Sequence, residues 1–204
     1  MPEPDNSLRA RLIEVGVDLV GREGSQALSL REIARRAGVS HGAPRRYFPT
    51  HHALLAAIAR EGYEHLGQVV AETVGGDEAD PHARLLALGR LYLDFARTNR
   101  GMFELMFRHD LLQGNRIGLR EASRPLFGVL VDLVTRARPN VAGAPRPTVI
   151  AGALWANLHG IAQLGQWGSL QMTVETDDVE LLLRAALDAH LGPANGRRAT
   201  RRPR

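Results

Sequence analysis

"LSLREIARRAGVSHGAPRRYFPTHHALL", residues 28–55, carries two short helical patterns joined by a four-residue turn. Ser29 stands three residues ahead of Glu32, the spacing at which each side chain can satisfy the other's exposed backbone N–H at a helix start. Gly38 ends that run, since it can take the positive φ that closes a helix. "AGVS" (37–40) then leaves room only for a tight turn, with Val39 available to the core. With Ser40 as the next cap, Pro44 falls at the end of a first turn, where at most one intrahelical bond is lost. The pattern predicts a short helix over 41–47, broken by "FPT", and a long helix capped by Thr50.

Working outward, Leu8, Leu12, Ile13, Val15, Leu19 and Val20 recur near helical spacing, with Ser7 as cap and Gly24 as stop. Behind Thr50, Leu54, Leu55, Ile58, Tyr63 and Leu66 form an apolar stripe. "GGDEADP" (75–81) interrupts it, and further helices are expected at 82–98, 102–112, about 118–137, 148–168 and 177–191. Sustained alternation of the strand kind is absent. The fold class expected is all-α, about nine helices: a three-helix helix-turn-helix domain over 1–50, extending to about 66, a larger helical domain over 67–194, and a disordered Arg-rich tail over 195–204.

The 204 residues contain 26 arginines and no lysine, so every fixed cation is a planar fork suited to phosphates and guanine edges. Residues 1–50 carry +2, residues 51–194 carry −3 and residues 195–204 carry +5, placing basic charge where a nucleic-acid module would need it. With no cysteine, disulfides, thiolate catalysis and cysteine metal sites are excluded. "MPEPDNSLRA" lacks the apolar core of a secretory signal. "TVIAGALWANLHGIAQLGQW" (148–167) is interrupted by Asn157, His159, Gln163 and Gln166, which favours a buried helix over a membrane span. A cytoplasmic chain without membrane association is expected. Gly-x-Ser-x-Gly, phosphate-cradling glycine loops and His-Glu-x-x-His are absent, so no enzyme is expected. His41, His51 and His52 lack nearby carboxylates, and neither metal nor cofactor is expected.

The stretch from Leu8 to Leu66 resembles the DNA-binding domain of the TetR family of bacterial transcriptional regulators. The carriers are the second helix, the Ala-Gly-Val-Ser turn, the recognition helix ending in Tyr47-Phe48, and the Leu54-Leu55 start of the fourth helix. "LWANLHGIAQL" (154–164) looks like the Trp-x-x-x-His-Gly segment of one subgroup. The resemblance implies that Ser29, Arg31 and Tyr47 contact DNA. His41, Gly42 and Ala43, following Ser40, are small or polar residues that let the helix approach base edges, and Arg45 and Arg46 can reach guanine or phosphate. Ile33, Ala34, Ala37, Val39 and Phe48 read as packing. The family usually has an apolar residue at Pro44, a tyrosine at Arg45 and a lysine at His51. The last difference leaves His51 less charge for phosphate, so affinity is expected to rise as pH falls below about 6.5.

Beyond residue 70 the resemblance implies a ligand-binding and dimerisation domain whose last two long helices form a four-helix bundle with a second copy. Val179, Leu182, Leu183, Ala186, Leu187 and His190 fall on one broad face, and Leu154, Leu158, Ile161 and Gly165 offer matching spacing. Met102, Phe103, Met106 and Phe107, together with Trp155 and His159, suggest an effector pocket. A buried His159 would need a polar partner. The expected partners are a double-stranded operator, a small-molecule effector and a second copy. The competing reading is an architectural DNA-binding protein that coats DNA through its basic ends without an effector.

Overall fold

The computed structural model describes residues 6–74, 80–108, 118–138, 145–174 and 178–192. Among them are nine α-helices and no strand: α1 Asn6–Glu23, α2 Leu30–Arg36, α3 His51–Val74, α4 Pro81–Thr98, α5 Arg100–Phe107, α6 Leu119–Ala137, α7 Pro147–Gln166, α8 Ser169–Val174 and α9 Val179–Leu191. Short 3-10 helices cover Ser25–Ala27 and Ala43–Arg46. α8 was not foreseen; its six residues include none that is buried, so they leave no apolar periodicity to read. α5 occupies part of the 102–112 expectation, and residues 109–112, like 75–79 and the 195–204 tail, lie outside the described residues.

The chain divides into two compact units, Met1–Gly67 with Thr98–Arg124, and Gln68–Arg97 with Pro125–Arg204. Thr98–Arg124 thus belongs with the N-terminal segment, a return no local pattern announces. Its cause is α5. Gly101 lies so close to α1 that a Cβ there would collide with the Val20 carbonyl oxygen. A backbone atom cannot rotate aside. Gly101→Ala is therefore expected to destabilise by about 1–3 kcal/mol, lowering Tm by roughly 2–12 °C in a chain of this size. Thermal unfolding of the variant checks this.

Local chemistry accounts for the helix ends in the first unit. Ser29 Oγ accepts from the Glu32 N–H at 3.1 Å, but Glu32 does not complete the reciprocal box. Its carboxylate accepts instead from Arg35 Nε and Nη2 at 2.9 and 2.7 Å and from Arg36 Nε at 2.7 Å. Two charge-assisted partners outcompete one backbone amide. Gly38 has φ +67°, and the Gly38 and Val39 amides donate to Arg35 and Ala34 carbonyls, the paired closure of a Schellman end. Thr50 Oγ1 accepts from the Ala53 N–H at 3.1 Å, as expected of a cap. Ser7 is no cap, because α1 already includes Asn6. The first unit's core comprises Leu12, Leu19, Ile33, Phe48, Leu54 and Ile58. Tyr63 donates its hydroxyl to the Met106 carbonyl at 2.9 Å, and burial raises that phenol to about 12, so it remains a neutral donor.

In the second unit α9 packs on α7, and Gly89 of α4 admits Leu183, whose Cδ1 lies 2.5 Å from where a Cβ would stand. Arg90 and Arg184 both bond Glu180, holding its carboxyl at about 2, chiefly through Arg90. α6 carries Pro125 inside its span, where it cannot donate to the carbonyl one turn back. No helix among the described residues is long and apolar enough to cross a membrane.

Candidate nucleic-acid interface

The segment expected as an α-helix over 41–47 is a 3-10 helix over Ala43–Arg46 flanked by turns. Pro44 is the reason. It has no N–H to give the Ser40 carbonyl, which accepts from Ala43 at 3.0 Å instead, and the Tyr47 and Phe48 amides converge on the Pro44 carbonyl at 3.0 and 2.8 Å. The tighter turn shortens the segment expected to meet DNA. Pro44 and Phe48 are buried beneath it, and His41, Gly42, Arg45 and Arg46 are exposed. Gly42 has open space where a Cβ would stand, so bulk is absent at this edge.

Charge is sorted across this surface. Arg35 and Arg36 are held by Glu32, whose carboxyl those hydrogen bonds, Arg35's first, keep at about 2, and Arg36 also bonds Glu23 of α1. Arg31, Arg45 and Arg46 are exposed and, among the described residues, form no side-chain hydrogen bond or ion pair. The acids thus neutralise Arg35 and Arg36 and leave Arg31, Arg45 and Arg46 without an ion pair among the described residues. Ser29, Ser40 and Arg31 are exposed, Ala43 and Tyr47 half-buried. Ser29 Oγ is engaged as the α2 cap.

His51 stands at the first position of α3, and its Nε2 lies 2.8 Å from the Leu28 carbonyl oxygen. A carbonyl only accepts, so Nε2 carries the proton and Nδ1 of the neutral ring is an acceptor. The single donation available to a neutral His51 is therefore spent inside the protein. Sequence reasoning also missed Arg9, whose guanidinium carbon sits 5.4 Å from the Phe48 ring centroid, a cation–π contact pinning the end of the reading turn to α1. Thirty-nine residues separate the pair, so no local spacing could have revealed it.

The expected effector residues fall in different units. Met102, Phe103 and Met106 are buried in the first, where the methionine sulfurs lie 2.7–2.8 Å from a Cβ built on Gly62 and Phe107 packs edge-on to Phe103 and Tyr63. In the second unit the Trp155 Nε1–H donates to Tyr92 Oη at 3.2 Å, and that hydroxyl lies 2.9 Å from His159 Nδ1. Tyr92, unnoticed in the sequence, is thus the polar partner His159 requires.

Four of the eight expected dimer residues are buried within the chain's own fold. Leu154, Leu158, Leu183 and Leu187 are buried where α7 packs on α9 of the same chain, and Ile161, Gly165, Leu182 and Ala186 are half-buried. The opposite face of α7 carries Val149, Ala153, Ala156, Gly160 and Leu164, continued by the cap residue Trp167, all exposed except the half-buried Gly160. They succeed one another at steps of three or four residues. Val149 is 55% exposed and Trp167 67%, and a Cβ on Gly160 would meet nothing within 4 Å.

Two family descriptions match the chain: "Bacterial regulatory proteins, tetR family" over residues 12–58 and "Tetracyclin repressor-like, C-terminal domain" over residues 85–190. A regulator of Yersinia pestis named HTH-type transcriptional regulator BetI is 36% identical over 92 residues, 45% of this chain and 46% of that protein. The aligned part thus spans about half the length of such curated relatives. Among solved structures, a Rhodococcus sp. RHA1 protein of unknown function superposes with TM-score 0.75 at 31% identity, over 94% of this chain and 97% of that one. The multidrug binding protein EbrR, complexed with imidazole, superposes with TM-score 0.62 at 26% identity over 94% of each chain.

Proposed function

The chain belongs to the TetR family of bacterial regulatory proteins, and from that premise we propose that it is a ligand-responsive repressor that binds a palindromic operator as a homodimer. The observation that carries the reading is the charge sorting: three unpaired arginines, Arg31, Arg45 and Arg46, surround a small-residue edge while Glu32 and Glu23 neutralise their neighbours. Arg45 and Arg46 read guanine edges or grip phosphate, and Arg31, Ser29 and Tyr47 set the register on the backbone. A four-residue 3-10 element reads few base pairs, so two copies are needed, with half-sites roughly 34–36 Å apart.

The second copy docks on the exposed stripe of α7 and the adjoining Leu181, Ala185 and Ala189 face of α9, all exposed. Ala153, Ala156 and Gly160 let two helices approach closely. An effector bound in the second unit shifts the population toward a form that releases DNA, by no more than its difference in affinity for the two forms. Selection of bound sequences from a random DNA pool tests the reading. A palindrome with half-sites one turn apart is expected; salt-dependent binding with no enriched sequence would indicate an architectural protein instead.

A further inference from the structure

We propose that Arg84 anchors the carboxylate of a small organic anion with an apolar body, the effector of the second unit. The proposal rests on the reading of the chain as a ligand-responsive regulator and names the class of ligand. Arg84 lies one turn inside α4 and is 8% exposed, the one charged residue that is buried among those described. Its side chain forms no hydrogen bond or ion pair with any described residue. On the neighbouring α9, Glu180 is taken by Arg90 and Arg184, and Asp80, four residues before Arg84, lies 3.9 Å from His82 Nδ1 instead. A guanidinium cannot shed its proton to escape such a site, and a buried charge without a partner is costly.

The guanidinium is nonetheless not sealed. The single buried side-chain polar atom closed off from solvent and from partners, among the described residues, is Ser25 Oγ. The Arg84 nitrogens therefore keep contact with water while the stem is enclosed, the position of a cation that meets a ligand rather than a core. Charge number selects the ligand group. One guanidinium matches one planar carboxylate through two parallel hydrogen bonds, whereas a doubly charged phosphate would need cations that Glu180 already holds.

The next two turns of α4 indicate the body of the ligand. Arg84, Leu88 and Tyr92 succeed one another at four-residue steps on one flank. Leu88 is half-buried, and Tyr92 joins Trp155 and His159, with Phe127 edge-on to Trp155 at 6.5 Å. Eight residues of helix span about 12 Å. An anion of about that length would set its carboxylate on Arg84, lay its chain along Leu88 and meet the aromatic group with its far end.

The test uses the full chain without DNA. Melting is followed with octanoate, decanoate and 6-phenylhexanoate, each beside its primary amide, for the parent protein and Arg84→Met. The carboxylates are expected to raise the parent Tm by roughly 5–10 °C at about a hundredfold excess over Kd. The amides should do nothing, Arg84→Met should lose the effect, and the variant alone should melt at or above the parent temperature because it removes an unpaired charge. Amides equal to carboxylates, an undiminished effect in Arg84→Met, no shift with any probe, or a variant that alone melts several degrees lower would each overturn the proposal. Such a failure leaves operator selection untouched, and an empty selection leaves the melting result standing, so the two readings fail separately.

Discussion

Replacing Arg45 and Arg46 together by alanine is expected to weaken operator binding by at least about a thousandfold while leaving Tm unchanged. Each protomer loses two unpaired, exposed guanidiniums, and a dimer loses four. At about 1–3 kcal/mol for each good arginine contact, the loss covers most of the gap of roughly 10³–10⁷ between specific and nonspecific affinity. Single variants divide the roles. An arginine on phosphate flattens the salt slope by about 0.9 per contact, whereas one on guanine relaxes sequence preference at its position and leaves that slope alone. Arg35→Ala is the matched control: it removes a cation from the same face, but one bound to Glu32, and Glu32 keeps Arg36. Its affinity should stay within about threefold of the parent. Competition titrations at two salt concentrations measure the four variants beside the parent, and an Arg35→Ala loss as large as the Arg45→Ala loss would mean that charge sorting does not decide which arginines meet DNA.

The helix-turn-helix pattern was legible because its determinants are local. Ser29, Gly38 and Thr50 act on backbone groups within a turn of themselves, and apolar spacing on α1 and α3 matches the buried residues Leu12, Leu19, Leu54 and Ile58. The reading element was misjudged in pitch, since Pro44 removes one donor and the carbonyl it leaves can be satisfied one residue earlier, a choice that sequence alone does not make. Partners distant along the chain could not be read at all. Arg36 of α2 reaches Glu23 of α1, Arg9 reaches Phe48, and Tyr92 finds Trp155 and His159. Each of these is settled by tertiary packing of elements whose individual patterns are complete without it.

The same limit applies to the face proposed for the second copy, and it yields the second large effect. A helix with apolar residues on two sides offers two stripes, and periodicity cannot say which one its own protomer covers. Leu154 and Leu158 of α7 are 0% and 4% exposed; Ala156, between them in sequence, is exposed on the opposite side. The two stripes therefore predict opposite phenotypes. Leu158→Ala removes packing within the protomer and should destabilise by about 2–5 kcal/mol, visible as a lower Tm, with the folded fraction still dimeric. Ala156→Glu adds a charge on a face the protomer leaves exposed, so the isolated fold should survive, but in a dimer two carboxylates would be buried without partners. Light scattering is expected to give the mass of one chain in place of two. Operator affinity should fall by about 10²–10⁴, because the second reading head loses the effective concentration that linkage supplies. A dimeric Ala156→Glu would exclude this face of α7 from the interface, and a monomeric variant that kept parental affinity would exclude the dimer from operator recognition.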